Sequence, residues 1–191
     1  MKIETKQRIA VALLERHADV FDVKIPAALV EFFKTGEVFT CEALAPKLSV
    51  PGWEPGTYQL AAMPPSWDAA TLMDLDDAVV GDEGEWEHAG EFVPVFHVAD
   101  SSYIVVKIDD PKCPVGFFEE ETFREEGDGY EHGVFMLGLA LGPFRSTLSR
   151  VAEPDYETHV DDEVWEEIAE ELEDEDDDED DEDDDDDDED E

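Results

Sequence analysis

The sequence has no long apolar run, few basic residues and only two cysteines. No stretch approaches the roughly 20 apolar residues that a membrane helix requires, and residues 1–10 carry positive charge without the apolar run of a secretory signal. One disulfide between Cys41 and Cys113 is possible. Two reduced thiols are favoured, because two distant cysteines do not form a disulfide framework. We therefore expect a soluble, cytoplasmic protein.

Positive charge is scarce throughout. The chain has 12 Lys and Arg against 56 Asp and Glu, a formal net charge of −44. An unbroken block of 19 acids fills residues 173–191, and the remaining 37 acids and 12 bases leave −25 on the body. Such a surface argues against binding to nucleic acid or to an anionic membrane, since both need an excess of Lys and Arg. The net charge favours a basic protein as the partner.

Enzyme motifs are also absent. The sequence has no nucleophile elbow, no Gly-rich phosphate loop, no dinucleotide fingerprint and no His-Glu-x-x-His zinc motif. The five histidines are scattered, although His97 could lie near Asp100 and Asp109 in a hairpin. No acidic run has the Asp-x-Asp-x-Asp-Gly pattern of a calcium loop, and no basic surroundings activate a thiol. We expect no enzymatic activity and no catalytic residue, cofactor or metal site.

What the chain does contain is enough apolar material for a core, with 41% hydrophobic and 10% aromatic residues. Apolar residues recur at helical spacing over residues 5–20, with Ile9, Ala12, Leu13 and Val20 on one side. Pro26 and Gly36 bracket a second helix with Leu29, Val30 and Phe33 on its buried face. Ser66 is a suitable N-cap for a third helix that ends at Gly81.

The hydrophobic period changes to two near residue 91. Residues 92–98 and 103–108 predict an antiparallel hairpin with a turn at 99–102, and residues 115–118 predict a third strand. Residues 57–60 alternate too briefly to establish a strand. Residues 134–151 start apolar and end at helical spacing, which predicts a final helix beginning at Pro143.

The C-terminal region divides in two. Residues 161–172 form a short amphipathic segment, which could cap the domain edge or act as a loose anchor. Residues 173–191 cannot fold alone, because adjacent like charges repel and nothing apolar offsets the ordering entropy. The sequence therefore predicts a single α+β domain at 1–160, with helices flanking a mainly antiparallel sheet, followed by this segment and a disordered acidic tail.

Three stretches resemble the SUKH superfamily of Smi/Knr-like proteins. They are the Ile-Pro helix of residues 25–36 with its terminal glycine, the hairpin of residues 92–106, and the strand of residues 114–119. Phe144 and Leu148 are similar to the aromatic-leucine pair of the family's closing helix. Two features depart from the family: the hairpin turn has no glycine, and no histidine follows Phe118. The second departure prevents transfer of a family site.

The resemblance implies a noncatalytic binding domain, since many bacterial members are immunity proteins that neutralise toxins, including nucleases, and fungal members are regulators. Two alternatives remain, an acidic-tailed chaperone-like binder of basic proteins and an unrecognised hydrolase. Acidity that serves only solubility is a further interpretation. The candidate contacts for a basic partner are carboxylates: Asp74, Asp76, Asp77, Asp109, Asp110, Glu119, Glu120 and Glu121. The oligomeric state does not follow from the sequence.

Overall fold

Helices pack against an antiparallel sheet in the computed structural model of this chain. The structure describes residues 1–40, 43–44, 49–54, 56, 58–67, 88–98, 102–119, 127–150 and 160–178. Every strand pairing in these ranges is antiparallel. The predicted single α+β domain is confirmed. None of its described helices has the length and apolar character needed to cross a membrane.

Five helices and one 3-10 turn lie in the described ranges. The helices are α1 (Ile3–Phe21), α2 (Ala27–Lys34), α3 (Glu37–Thr40), α4 (Leu141–Arg145) and α5 (Asp162–Asp178). The 3-10 turn, Ala89–Glu91, leads directly into a strand.

Eight described strands form one antiparallel sheet. Its six-stranded main part consists of β2 (Gln59–Ala62), β3 (Phe92–His97), β4 (Ser102–Lys107), β5 (Pro114–Glu119), β6 (Tyr130–Glu131) and β7 (Val134–Ala140). The two-residue strands β1 (Ala43–Leu44) and β8 (Ser149–Arg150) extend the β2 edge. The order across the sheet is β6-β7-β5-β4-β3-β2-β1-β8.

The first two helices form where the sequence predicts them. Ile9 and Leu13 of α1 are buried, but Val20, predicted on the same stripe, is 66% exposed in the last turn. In α2 both Phe32 and Phe33 are buried. Both rings can be buried because Phe32 reaches strand β3, which lies beside α2.

The predicted hairpin is the centre of the sheet. Strands β3 and β4 pair from Phe92↔Lys107 to His97↔Tyr103, with a bulge between Pro94 and Phe96. All six residues of β4 are buried, because the sheet is covered on both faces. Strand β5, predicted at 115–118, pairs with the other edge of β4 and is confirmed.

Different aromatic residues cover the two faces of this central sheet. On the first face, Phe96 contacts Phe32 of α2 and Phe144 of α4, with ring centroids 6.0 and 6.4 Å apart. On the second face, Trp67 packs against Phe118 at 5.4 Å. Trp67 begins the predicted third helix, and the rest of that helix lies outside the described residues.

The region after residue 133 differs from the prediction. Val134–Ala140 is a strand, the helix begins at Leu141 and already ends at Arg145, and Ser149–Arg150 is extended. The prediction of a helix from Pro143 to residue 151 was therefore wrong. Residues 59–62, which alternate only briefly in sequence, form strand β2 because it pairs with β3 on one side and β1 on the other.

The β6–β7 hairpin folds over the second face of the sheet. Its two-residue turn, His132–Gly133, has φ angles of 53° and 87°, the left-handed values that a type I′ turn requires. A side chain at Gly116 of β5 would collide with Val134, so a glycine is needed where the hairpin crosses. This crossing brings the turn close to the residues that precede β3.

The amphipathic C-terminal segment packs on the domain. Helix α5 buries Trp165 and Ile168 completely, and the Trp165 ring contacts Phe39 edge-on at 5.4 Å. The helix continues through Asp178, six residues into the acidic block. Residues 179–191 lie outside the described part of the chain.

Candidate functional site

A groove of about 600 Å³ lies where the link between α1 and α2 approaches the starts of β3 and β5. Apolar side chains and backbone form most of its lining, and Glu91 and Asp109 are the acidic side chains there. The lining residues are Val23, Lys24, Pro26, Ala27, Ala28, Gly90, Glu91, Ile108, Asp109 and Pro111. Such a groove can accept an apolar side chain beside a cationic one.

The 3-10 turn at the groove is held from two sides. The Trp67 indole N–H donates to the carbonyl oxygens of Ala89 at 3.3 Å and Phe92 at 3.1 Å. The His17 ring of α1 lies 3.3 Å from the carbonyl oxygen of Gly90. These contacts fix the direction in which Glu91 leaves the backbone.

Lys107 lies among three carboxylates beside the groove. Its ammonium nitrogen is 3.1 Å from Asp109 and 3.7 Å from Glu91, and it also donates to Glu131. Burial alone would lower the pKa of Lys107, but the hydrogen bonds and charges of Glu131 and Asp109 raise it overall. The lysine therefore stays charged, and its ammonium group already forms ion pairs with acids of this chain.

Glu91 also connects Lys107 to two histidines. The His88 Nδ1 atom lies 2.8 Å from Glu91 Oε1, and His132 Nε2 lies 3.8 Å from Glu91 Oε2. The two imidazole rings stack with centroids 3.5 Å apart and planes 15° apart. One nitrogen from each ring and a Glu91 oxygen all lie within 4.8 Å of one another.

The surroundings of Glu91 favour its charged form. Burial by itself would raise the pKa of this carboxyl, but the His88 hydrogen bond and the charges of His132, His88 and Lys107 lower it overall. Glu91 is therefore an anion at neutral pH. Nitrogen atoms of His88, His132 and Lys107 surround its carboxylate.

A second acidic surface is the outer side of α5. Twelve of its 17 residues are Asp or Glu and none is Lys or Arg. The described side chains on this outer side are exposed: Glu163, Glu166, Glu167, Glu170, Glu171 and Glu173. Because Trp165 and Ile168 on the inner side of α5 are buried in the domain, the helix holds these carboxylates on the domain surface. We call this set of six side chains the acidic face of α5.

The structure separates the carboxylates predicted to contact a partner. Asp109 lines the groove and is 53% exposed. Asp110 follows it, but its carboxylate accepts the Lys112 N–H at 2.8 Å and stabilises a turn. Glu119 lies at the far end of β5, roughly 20 Å away by strand length, where it accepts the Trp53 indole N–H at 2.7 Å.

The remaining predicted contacts, Asp74, Asp76, Asp77, Glu120 and Glu121, lie outside the described residues. The suggested proximity of His97 and Asp109 was wrong. His97 pairs with Tyr103 at one end of the hairpin, and Asp109 follows Lys107 at the other end. Asp100, the other suggested neighbour of His97, is outside the described ranges.

The cluster of His88, Glu91 and His132 was missed from the sequence. His88 and Glu91 are three residues apart, which is a local signal that both side chains share one turn. His132 is 44 positions beyond His88, and only the fold of the β6–β7 hairpin over the sheet brings it near. No periodicity in the sequence reveals that crossing.

Cys113 does not belong to this site. Burial raises the pKa of its thiol, and the negative charge of Asp110 raises it further. The thiol is free and buried. It is therefore an unreactive core side chain, as the lack of basic surroundings in the sequence indicates.

No protein-family model, curated protein or solved structure matches the chain.

Proposed function

We propose that this chain is a noncatalytic binding domain for a basic protein, similar in role to the Smi/Knr-like immunity and adaptor proteins. A toxin domain such as a nuclease is the partner class that fits best, because a nuclease needs a basic groove for its substrate. An acidic domain can occupy that groove as a competing polyanion. The observation that carries the proposal is the anchored acidic face of α5.

Anchoring distinguishes α5 from a solvated acidic tail. Like charges four residues apart, such as Glu163 with Glu167, destabilise an isolated helix, and acids in its last turn oppose the helix dipole. The helix persists because Trp165 and Ile168 are buried in the domain. A cationic surface that approaches α5 reduces the repulsion between its carboxylates, so the helix favours binding to basic groups.

Two of the described lysines near these surfaces are paired with this chain's own acids, whereas Lys24 lines the groove and is exposed. Lys6 is 2.8 Å from Asp162 at the start of α5, and its nitrogen lies 5.3 Å from the Trp165 ring centroid. Lys107 is surrounded by its three carboxylates. Lys6 and Lys107 are therefore paired within the fold, and the exposed acids remain in excess of the exposed Lys24.

The groove supplies a short-range contact for the same partner. Asp109, whose carboxylate also pairs with Lys107, lines this groove, and the lining offers apolar contact from Val23, Pro26 and Ile108. The methylene groups of an Arg or Lys side chain can pack against such a lining while its charged group pairs with the carboxylate. In this proposal the acidic face of α5 attracts the partner and the groove orients it.

The proposal is tested by capture from native lysate with the full-length chain, with the partner identified by mass and its affinity then measured. We expect a protein with a strongly basic surface, and binding that weakens as salt is raised. A captured partner without a basic surface, or binding independent of salt, would contradict the proposal.

A matched pair of variants locates the contact. The first neutralises the acidic face of α5 with Glu166→Gln, Glu167→Gln, Glu170→Gln and Glu171→Gln. The second makes the same change in net charge on exposed acids of α1 and α2, with Glu4→Gln, Glu15→Gln, Asp19→Asn and Glu31→Gln. We expect the first variant to lose about tenfold in affinity, which corresponds to about 1.4 kcal/mol summed over several removed charge pairs. Equal losses in both variants would show that only net charge matters.

A further inference from the structure

The geometry points to a binding site for a divalent transition-metal ion at His88, Glu91 and His132. Two imidazoles and one carboxylate are a common donor set for such ions, and imidazole selects them over Mg²⁺ and Ca²⁺, which prefer oxygen ligands. We take Zn²⁺ as the representative ion. This inference is independent of the proposed partner.

The three donors are close enough to converge on one ion. Their ligand atoms lie within 4.8 Å of one another, whereas donors at about 2.1 Å from a tetrahedral zinc are about 3.4 Å apart. Closing the remaining distance requires rotation of side chains that are 29, 34 and 38% exposed. The backbone that carries them, a 3-10 turn and a tight hairpin turn, can stay in place.

The local charge also suits a divalent cation. Glu91, Asp109 and Glu131 surround Lys107, so three carboxylates and one ammonium leave two negative charges beside the two imidazoles. Lys107 lies 3.7 Å from Glu91, but its charge is already balanced by Asp109 and Glu131. A bound M²⁺ would therefore neutralise the cluster.

An ion at this position would join two parts of the chain that no described strand pairing connects. His88 and Glu91 precede β3, and His132 is in the β6–β7 turn at the opposite edge of the main sheet. Because the three side chains are partly exposed, a fourth coordination position would face solvent, and water can occupy it. The site would fasten the β6–β7 hairpin over the sheet.

The test is a Zn²⁺ titration of the full-length chain by isothermal calorimetry in excess Mg²⁺. Excess Mg²⁺ occupies the carboxylates of the acidic tail, so that Zn²⁺ binding reports on imidazole. We expect one tight equivalent of Zn²⁺ per chain. No binding under these conditions, or only weak binding of many ions, would overturn the inference.

Two ligand variants and one control assign the site. His132→Asn keeps a residue that tolerates the left-handed φ of the turn, and His88→Gln keeps an amide in place of the ring. Each should weaken Zn²⁺ binding by more than about tenfold, since loss of even an outer partner of a ligand has that effect. His97→Gln, on the hairpin but outside the cluster, should leave binding unchanged. Unchanged affinity in both ligand variants would contradict the site.

A measurement on the unmodified chain guards against misfolded variants. Side-chain nitrogen resonances of the five histidines are followed by NMR while Zn²⁺ is added below one equivalent. His88 and His132 should shift first and together. If other histidines respond first, or all five shift equally, the cluster does not bind the ion.

Discussion

His17 is a buried histidine on α1 whose ring faces the 3-10 turn near the groove. Burial lowers its pKa from 6.5, and the hydrogen bond to the Gly90 carbonyl opposes that shift without cancelling it. The folded protein therefore holds His17 neutral at pH values where the unfolded chain binds a proton. Protonation favours unfolding, so this histidine's contribution to stability is complete above pH 6.5 and decreases as the pH falls below it.

We predict that urea unfolding will show this loss between pH 7 and pH 5. A His17→Gln variant keeps a polar side chain for Gly90 but has no proton to bind, so its stability should fall less over the same interval. The two proteins differ only at position 17, so the contributions of all other residues cancel in the comparison. Parallel stability curves for the two proteins would contradict the assigned role of His17.

Some of this residue-scale picture is predictable from sequence. His17 follows Leu13 and Leu14 by four and three positions, which places it on the buried stripe of a helix. Its partner Gly90 is 73 residues away, and no pattern in the sequence indicates that contact. The same limit applies to His88 and His132. Local spacing predicts which side of a helix is buried but not what lies against it.

At the scale of elements, helix α5 depends on a single large anchor. Trp165 is fully buried against Phe39, and Lys6 lies over its ring. Truncation to alanine removes the largest buried side chain of the helix. The charged residues around it cannot hold the helix alone, because they repel one another.

We predict that Trp165→Ala will destabilise the protein by about 3–5 kcal/mol. Urea unfolding followed by far-ultraviolet circular dichroism measures the change, together with the loss of α5 helicity. Glu171→Gln on the exposed side of the same helix is the control and should change stability by less than about 0.5 kcal/mol. A loss below about 1 kcal/mol for Trp165→Ala would show that α5 is only loosely attached.

The elements that local periodicity predicts best are α1, α2, the β3–β4 hairpin and the amphipathic start of α5. Residues 134–151 were predicted less well, because an apolar run interrupted by Gly138 and Gly142 fits either a strand or a helix. Pairing with β5 makes Val134–Ala140 a strand. That pairing is a tertiary effect, and local propensity does not contain it.

At the scale of the whole molecule, the main property is the uneven distribution of charge. The 13 residues 179–191 are all acidic, and removing them changes the net charge from −44 to −31. The helical residues 173–178 remain, so the acidic face of α5 stays on the domain. Deletion from residue 179 onward therefore removes only the final segment and keeps α5 whole. Deletion from residue 173 onward would also remove the end of α5.

We expect the chain without residues 179–191 to fold with unchanged or slightly higher stability, because the segment contributes no apolar group and its charges repel the body. A change in binding can be attributed to the deleted charges only if the shortened chain is folded. Thermal unfolding of both chains verifies it before association is measured.

Stopped-flow association of the captured basic partner with both chains, at low and high salt, tests directly whether the negative charge of this chain attracts the partner. We predict that deletion slows association about tenfold at low salt, within the roughly 10- to 1,000-fold range of electrostatic steering. The two rates should converge near 1 M salt, where the Debye length is about 3 Å. An unchanged association rate at low salt would contradict steering by the segment. Loss of binding at every salt concentration would instead make residues 179–191 the binding site, as in a chaperone-like protein.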